Sequence, residues 1–111
     1  MTGSGVSWVS NDRLLSFLGL CKRAGRLVTG AETVTKTIAE GKALLVLYAA
    51  DVSEGSLKRV LREAQNRDIP ARRLSCSKEE LSFALGRLSA IICVTDKGFA
   101  DKILTMTEQE E

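Results

Sequence analysis

Lys42-Ala43-Leu44-Leu45-Val46-Leu47-Tyr48-Ala49-Ala50 runs apolar after its first residue, without alternation, and stops at Asp51. A run this short and this uniformly apolar reads as a strand covered on both faces, because a strand with one wet face alternates apolar and polar residues. Cover on both faces requires helices above and below a sheet. The signals for those helices lie on either side of the run.

Upstream, Thr29-Gly30-Ala31-Glu32-Thr33-Val34-Thr35-Lys36 opens a helix: Thr29-x-x-Glu32 has the spacing of a capping box. Ala31, Val34 and Ile38 share one face at i, i+3, i+7, and Glu40-Gly41 ends the element. Before it, Asn11 or Asp12 caps a helix with Leu14, Leu15, Leu18 and Cys21 as its stripe, and Gly25 closes it. Leu27-Val28 joins the two as a short strand. Downstream, Ser53 caps a helix with Leu57, Val60, Leu61 and Ala64 inward, and Pro70 closes the following loop. Ala71-Arg72-Arg73-Leu74 reads as an edge strand. Ser77-Lys78-Glu79-Glu80 is a second capping box, whose helix Gly86 stops. Ile91-Ile92-Cys93-Val94 is another buried strand, and Asp96 caps a last helix carrying Phe99 and Ile103. The alternation predicts a three-layer α/β/α sandwich around a small, largely parallel mixed sheet. Residues 11–106 form its single domain, residues 1–10 a flexible Gly/Ser-rich segment, and residues 107–111 an acidic end.

The composition narrows the chemistry. The chain has 111 residues and no histidine, which removes the usual general base, the usual metal ligand and every Ser-His-Asp or Cys-His arrangement. Neither a Walker loop nor G-x-G-x-x-G is present. The expectation is a non-enzyme with no cofactor, no metal and no small-molecule substrate. No apolar stretch approaches the roughly 20 residues of a membrane helix, and no secretion signal is visible; no membrane contact and a cytoplasmic location are expected. Three separated cysteines without a C-x-x-C pair read as free buried thiols. The net charge is only +2, but residues 101–111 hold four acidic residues and one lysine, so the remainder carries +5.

A surface for that charge is offered by the helix opening at Gly30. Its N-terminus is an anion site in waiting. Gly30 lets another backbone come close, and Glu32 and Lys36, with Thr33 beside them, present a carboxylate and an ammonium able to read base edges. A purely structural explanation also fits these residues: Glu32 completes the capping box and pairs with Lys36 one turn on, for about 0.2–0.5 kcal/mol.

The sequence resembles the kink-turn-binding ribosomal-protein family, which includes archaeal large-subunit and box C/D RNA-binding proteins, and most of all its short bacterial YlxQ-like branch. The resemblance runs from Leu14 to Leu104. It rests on Gly30-x-x-x-x-x-Lys36, Gly41-Lys42-Ala43, Ala49-Ala50-Asp51, Ile69-Pro70, Glu80-Leu81-Ser82-Phe83-Ala84-Leu85-Gly86 and Val94-Thr95-Asp96-Lys97-Gly98-Phe99, in that order and spacing.

The resemblance implies a ribonucleoprotein role linked to translation, with structured RNA as partner (ribosomal or other kink-turn RNA) and the ribosome as its setting. A kink-turn is a sharply bent internal loop whose tandem sheared G·A pairs expose edges that A-form RNA hides. By position, the backbone near Gly30 and Ala31 would approach phosphate or base edges, with Thr29 part of the same RNA-binding set. Glu32 and Thr33 would supply an acceptor and a hydroxyl, and Lys36 would donate to guanine O6 and N7. The loop Gly86-Arg87-Leu88-Ser89-Ala90 would lie alongside, with Leu88 against an extruded base and Arg87 near phosphate. Arg26, with Lys22 and Arg23, would widen the electrostatic footprint. The chain departs from the family at Glu32-Thr33, where many members have Asn-Glu, at Glu40, often basic, and in the shorter, basic Gly86–Ala90 loop.

Two other readings compete. One is a protein-docking module that has lost RNA binding. The other is a phospho-receiver domain, in which Asp51 is phosphorylated and Thr95 and Lys97 respond, although the acidic pair needed for Mg²⁺ is missing.

Overall fold

The computed structural model describes the backbone of residues 2–109 and the side chains of residues 12–107. The side chains of segment 1–10 and most of the acidic end lie outside those described. The order is α1 (Thr2–Arg23), β1 (Leu27–Thr29), α2 (Ala31–Ala39), β2 (Leu45–Tyr48), α3 (Glu54–Asn66), β3 (Ala71–Arg73), α4 (Lys78–Leu85), β4 (Ile91–Val94) and α5 (Lys97–Gln109). α1 does not open at Asn11 or Asp12; its helix reaches back to Thr2.

The four strands lie in the order β1-β4-β2-β3. Helices cover both faces, as expected, because successive residues of the central strands point to opposite sides. Leu45, Leu47, Ile92 and Val94 pack with Leu18 of α1, on the face that also takes α4 and α5. Val46, Ile91 and Cys93 pack on the other face against Val34 and Ile38 of α2 and Val60 of α3. On the first face Phe17 and Phe99 hold α1 to α5, with ring centroids 5.2 Å apart.

The sheet is mixed but not largely parallel. β2–β3 is parallel, while β1–β4 and β2–β4 are antiparallel. An apolar run reports that both faces are covered, which helices accomplish whatever the strand direction. Direction was therefore not in the pattern.

Topology sets two ends to the sheet. At one end lie the end of β1, the end of β2 and the start of β4: Thr29 pairs with Ile92 and Tyr48 with Ile91. At the other lie Arg26, whose carbonyl accepts from the Thr95 N–H at 3.0 Å, and Leu44, whose N–H donates to Val94 at 2.8 Å. The antiparallel β2–β4 pairing removes the receiver reading. Asp51 follows β2 at the first end and Thr95 and Lys97 follow β4 at the second, so they cannot converge. Asp51 instead accepts from the Lys78 backbone N–H at 2.7 Å, satisfying the start of α4.

Candidate nucleic-acid interface

The first end of the sheet carries the predicted contact helix. α2 does not begin with a capping box. Thr29 is the last residue of β1, and the N-cap is Gly30, at φ 97° and ψ 136°, with no side-chain cap. Those angles belong to glycine, since a Cβ there strains the backbone. Strand pairing fixes Thr29 and turns the chain sharply into the helix at the next residue. The Ser77 box at α4, by contrast, is complete: Glu80 N–H donates to Ser77 Oγ at 3.1 Å and Ser77 N–H to Glu80 Oε1 at 2.8 Å.

The structural explanation of Glu32 therefore fails twice. It caps nothing, and among the described residues the ion pairs are Lys42–Glu40 and Lys97–Asp101, not Glu32–Lys36. Glu32, Thr33 and Lys36 are exposed on one face of α2, while Val34 and Ile38 anchor the opposite face. Ala31 is half-buried, packed against the α2–α3 core. Glu40 has its carboxylate 3.8 Å from the Lys42 ammonium.

The Gly86–Ala90 loop sits beside this tip. The Gly30 N–H donates to the Ile91 carbonyl at 2.9 Å, and the Ala49 N–H to the Ala90 carbonyl at 2.9 Å, so the residues that end the loop are bonded to both neighbours. Gly86 ends α4 in the left-handed conformation, φ 75°. Arg87 is exposed, and Leu88 is 91% exposed, an apolar side chain with nothing of its own chain to cover it.

Two of the expected residues are placed differently from the rest. Ser89 is buried, and its hydroxyl donates to the Arg87 carbonyl at 3.0 Å. It shapes the loop and does not face solvent. Arg26 lies at the far end of β1, four extended residues from Gly30, or roughly 13 Å of chain. The intervening strand sets Arg26 apart from the α2 tip.

Sequence reading missed Ser82. From α4 its Oγ accepts from the Ser89 N–H at 2.8 Å and donates to the Ser89 carbonyl at 3.1 Å, bracing the loop. The partner is backbone seven residues on, so no side-chain pattern marks it. Arg59 and Arg73, which the sequence offers with Lys58, Arg62 and Arg72 as solubility charge or a second surface for ribosomal RNA, are placed apart: Arg73 donates to the Ala50 carbonyl at 2.6 Å, and Arg59 faces α2 across a groove.

The arrangement has no nucleophile to offer. Burial pushes the Cys93 thiol up to about 12, and burial with the Asp96 charge pushes Cys21 up to about 11, so neither is a thiolate at neutral pH. What the edge offers is donors, one acceptor and an apolar tip: glycine-opened backbone at Gly30, the Glu32–Thr33–Lys36 face, and Arg87 with Leu88 beside them.

Residues 12–104 match the model of the ribosomal protein L7Ae/L30e/S12e/Gadd45 family. A Bacillus subtilis protein named RNA-binding protein YlxQ is 30% identical over 106 residues, 95% of this chain and 99% of the relative. The Enterococcus faecium protein of the same name is 30% identical over 99 residues, 89% of this chain and 95% of the relative. Among solved structures, a Bacillus halodurans protein of unknown function superposes with a TM-score of 0.79 at 31% identity, covering 86% of this chain and 96% of the other. A Giardia lamblia 15.5kD RNA binding protein superposes with a TM-score of 0.68 at 20% identity, covering 88% and 87%, and so shares the fold.

Proposed function

The chain belongs to the ribosomal protein L7Ae/L30e/S12e/Gadd45 family, and from that premise we propose that it is a non-catalytic, cytoplasmic RNA-binding protein that holds a sharply bent RNA, of the kink-turn type, at the edge formed by the α2 tip and the Gly86–Ala90 loop. The observation that carries this reading is the exposed, uncapped and unpaired Glu32–Thr33–Lys36 face, bonded through Gly30 to the strand that follows the Leu88 loop. Glu32 in the first turn and Lys36 in the last suit the helix dipole, but no cap or ion pair engages either side chain among the described residues.

The chemistry runs as follows. Phosphate is met by the α2 N-terminus, where the Gly30 side leaves room for a second backbone, and by Arg87. Lys36 donates to the O6 and N7 edge of guanine, and Glu32 accepts from N–H groups of a base whose Watson–Crick edge is open. Leu88 packs on an extruded base. The bend is what makes those edges reachable, because ordinary A-form RNA buries them. The protein therefore acts by shifting the RNA population toward its bent form. RNA of ribosomes or of other translation-linked particles fits this chemistry.

The deciding experiment is a titration of a kink-turn oligonucleotide against the same oligonucleotide with its G·A pairs replaced. The bent RNA is expected to bind at least tenfold more tightly. Equal affinities would reject kink-turn recognition.

The docking-module reading has one observation in its favour. Phe83 of α4 is 91% exposed at the rim of a groove of about 630 Å³ between α1 and α4, lined also by Leu15 and Gly19. No retention of the protein on any structured RNA would leave that reading standing.

A further inference from the structure

α2 and α3 both start at the end of the sheet that bears the RNA edge, α2 from Gly30 and α3 just beyond β2. They pack side by side, and both lead away from the edge. The groove between them, about 480 Å³, is lined by Glu32, Thr33 and Lys36 on one wall and by Arg59 and Glu63 on the other. Since Glu32 and Thr33 belong to the edge as well, the groove opens onto it. On the other flank of α3, Lys58 and Arg62 line a depression of about 550 Å³ whose other wall includes Ala71 of β3.

Lys58, Arg59 and Arg62 are thus a ridge of exposed cations on one turn of α3. None forms an ion pair among the described residues. Lys58 and Arg62 stand one helical turn apart, a like-charge spacing that costs a few tenths of a kcal/mol. The fold gains nothing from it. A polyanion lying along the ridge reverses the sign of that interaction and releases its own counterions.

We propose that Lys58, Arg59 and Arg62 form a second phosphate-binding surface, which takes the backbone of the RNA duplex leaving the bent element held at the edge. It rests on the RNA reading above and extends it: the edge reads the bend, and the ridge grips the stem without reading its sequence. Charge-only contact of this kind adds affinity and salt dependence, not specificity.

The test uses two RNAs, a minimal bent element and the same element with its stem lengthened by about ten base pairs, each titrated with wild type and with the triple variant Lys58→Ala, Arg59→Ala, Arg62→Ala. These positions are exposed and alanine suits a helix, so the variant should fold, as circular dichroism will verify. Wild type is expected to bind the longer RNA on the order of tenfold more tightly at low salt, a gain that shrinks as salt rises. The variant should bind both RNAs alike, with its affinity for the minimal element unchanged. A wild type indifferent to stem length, or a variant that keeps the gain, overturns the proposal. Should wild type ignore the minimal element altogether, the edge reading fails and the ridge is judged on a plain duplex of the same length. Duplex binding that the variant loses supports the ridge, and no duplex binding, or binding that the variant retains, ends it.

Discussion

The Gly30 N–H donates to the Ile91 carbonyl at 2.9 Å, joining the start of α2 to the start of β4. This bond is the hinge pin of the proposed RNA edge, because Ile91 is the first residue of β4 and the Gly86–Ala90 loop leads directly into it. The two parts of the edge come from residues some sixty apart in the chain, yet their spacing is set by one backbone contact and the Thr29–Ile92 pairing beside it.

Gly30→Ala should weaken the fold although space is available. A Cβ would meet only Thr33 Oγ1, at 3.9 Å, but φ 97° is a conformation that L-residues avoid. A loss of about 1–3 kcal/mol is expected in urea unfolding. An unchanged midpoint would mean that the turn tolerates a side chain and that glycine is there for another reason.

Lys36→Ala removes the ammonium that neither Glu32 nor any other described carboxylate pairs with. Stability should stay within about 0.5 kcal/mol, as for an exposed residue without partners. Kink-turn affinity should fall by about 1–3 kcal/mol if the contact to guanine is bidentate. Wild-type affinity in the variant would take Lys36 out of the interface.

Arg87 and Arg26 should separate by salt dependence. Arg87 stands in the loop, whereas Arg26 sits at the opposite end of β1. Arg87→Ala is expected to lower the slope of log affinity against log salt by about one, and Arg26→Ala to leave it alone. A reversed pattern would move the RNA to the other end of the sheet.

Ser82→Ala tests the brace. Ser82 makes both hydrogen bonds to the Ser89 backbone through its one hydroxyl. Loss should cost about 1–3 kcal/mol of stability, because buried backbone groups lose their partner. RNA affinity should fall with it, while Ser82→Thr, which keeps the hydroxyl, restores much of both. Full affinity in Ser82→Ala would show that the loop holds its shape unaided.

Alkaline pH should destabilise the protein and neutral pH should not. Cys21 and Cys93 stay protonated when folded to about 11 and about 12, against an ordinary value of 9.0. Unfolding lets them ionise sooner, so their contribution is present below pH 9 and is lost as pH rises from there. With no histidine, the urea midpoint should be flat between about pH 6 and 8. A midpoint that stays level to pH 10 would contradict the burial of both thiols.

How far the sequence could be read follows from what each pattern encodes. Leu45–Tyr48 and Ile91–Val94 were legible as central strands because burial on two faces forces apolarity at every position. Their antiparallel pairing was hidden, since the same burial suits either direction. Thr29-x-x-Glu32 looked like a cap because spacing alone cannot say that strand pairing already holds Thr29 and that Gly30 takes the turn. Lys36 was singled out on its helix face and the 86–90 loop through the resemblance, and the strand order that sets them side by side exists only in three dimensions. Arg59 was legible as a solvent-side cation of its helix, but that it faces α2 across a groove was not, for the same reason.

The most direct check of the RNA edge is a map of backbone amide chemical shifts as a kink-turn oligonucleotide is added to the isotope-labelled protein. Gly30, Ala31, Glu32 and Thr33 should move together with Arg87 and Leu88, in fast or slow exchange according to affinity, while the α1–α4 groove around Phe83 stays still. Shifts confined to that groove, or none at either part of the edge, would contradict the assignment of RNA binding to the α2 tip and its neighbouring loop.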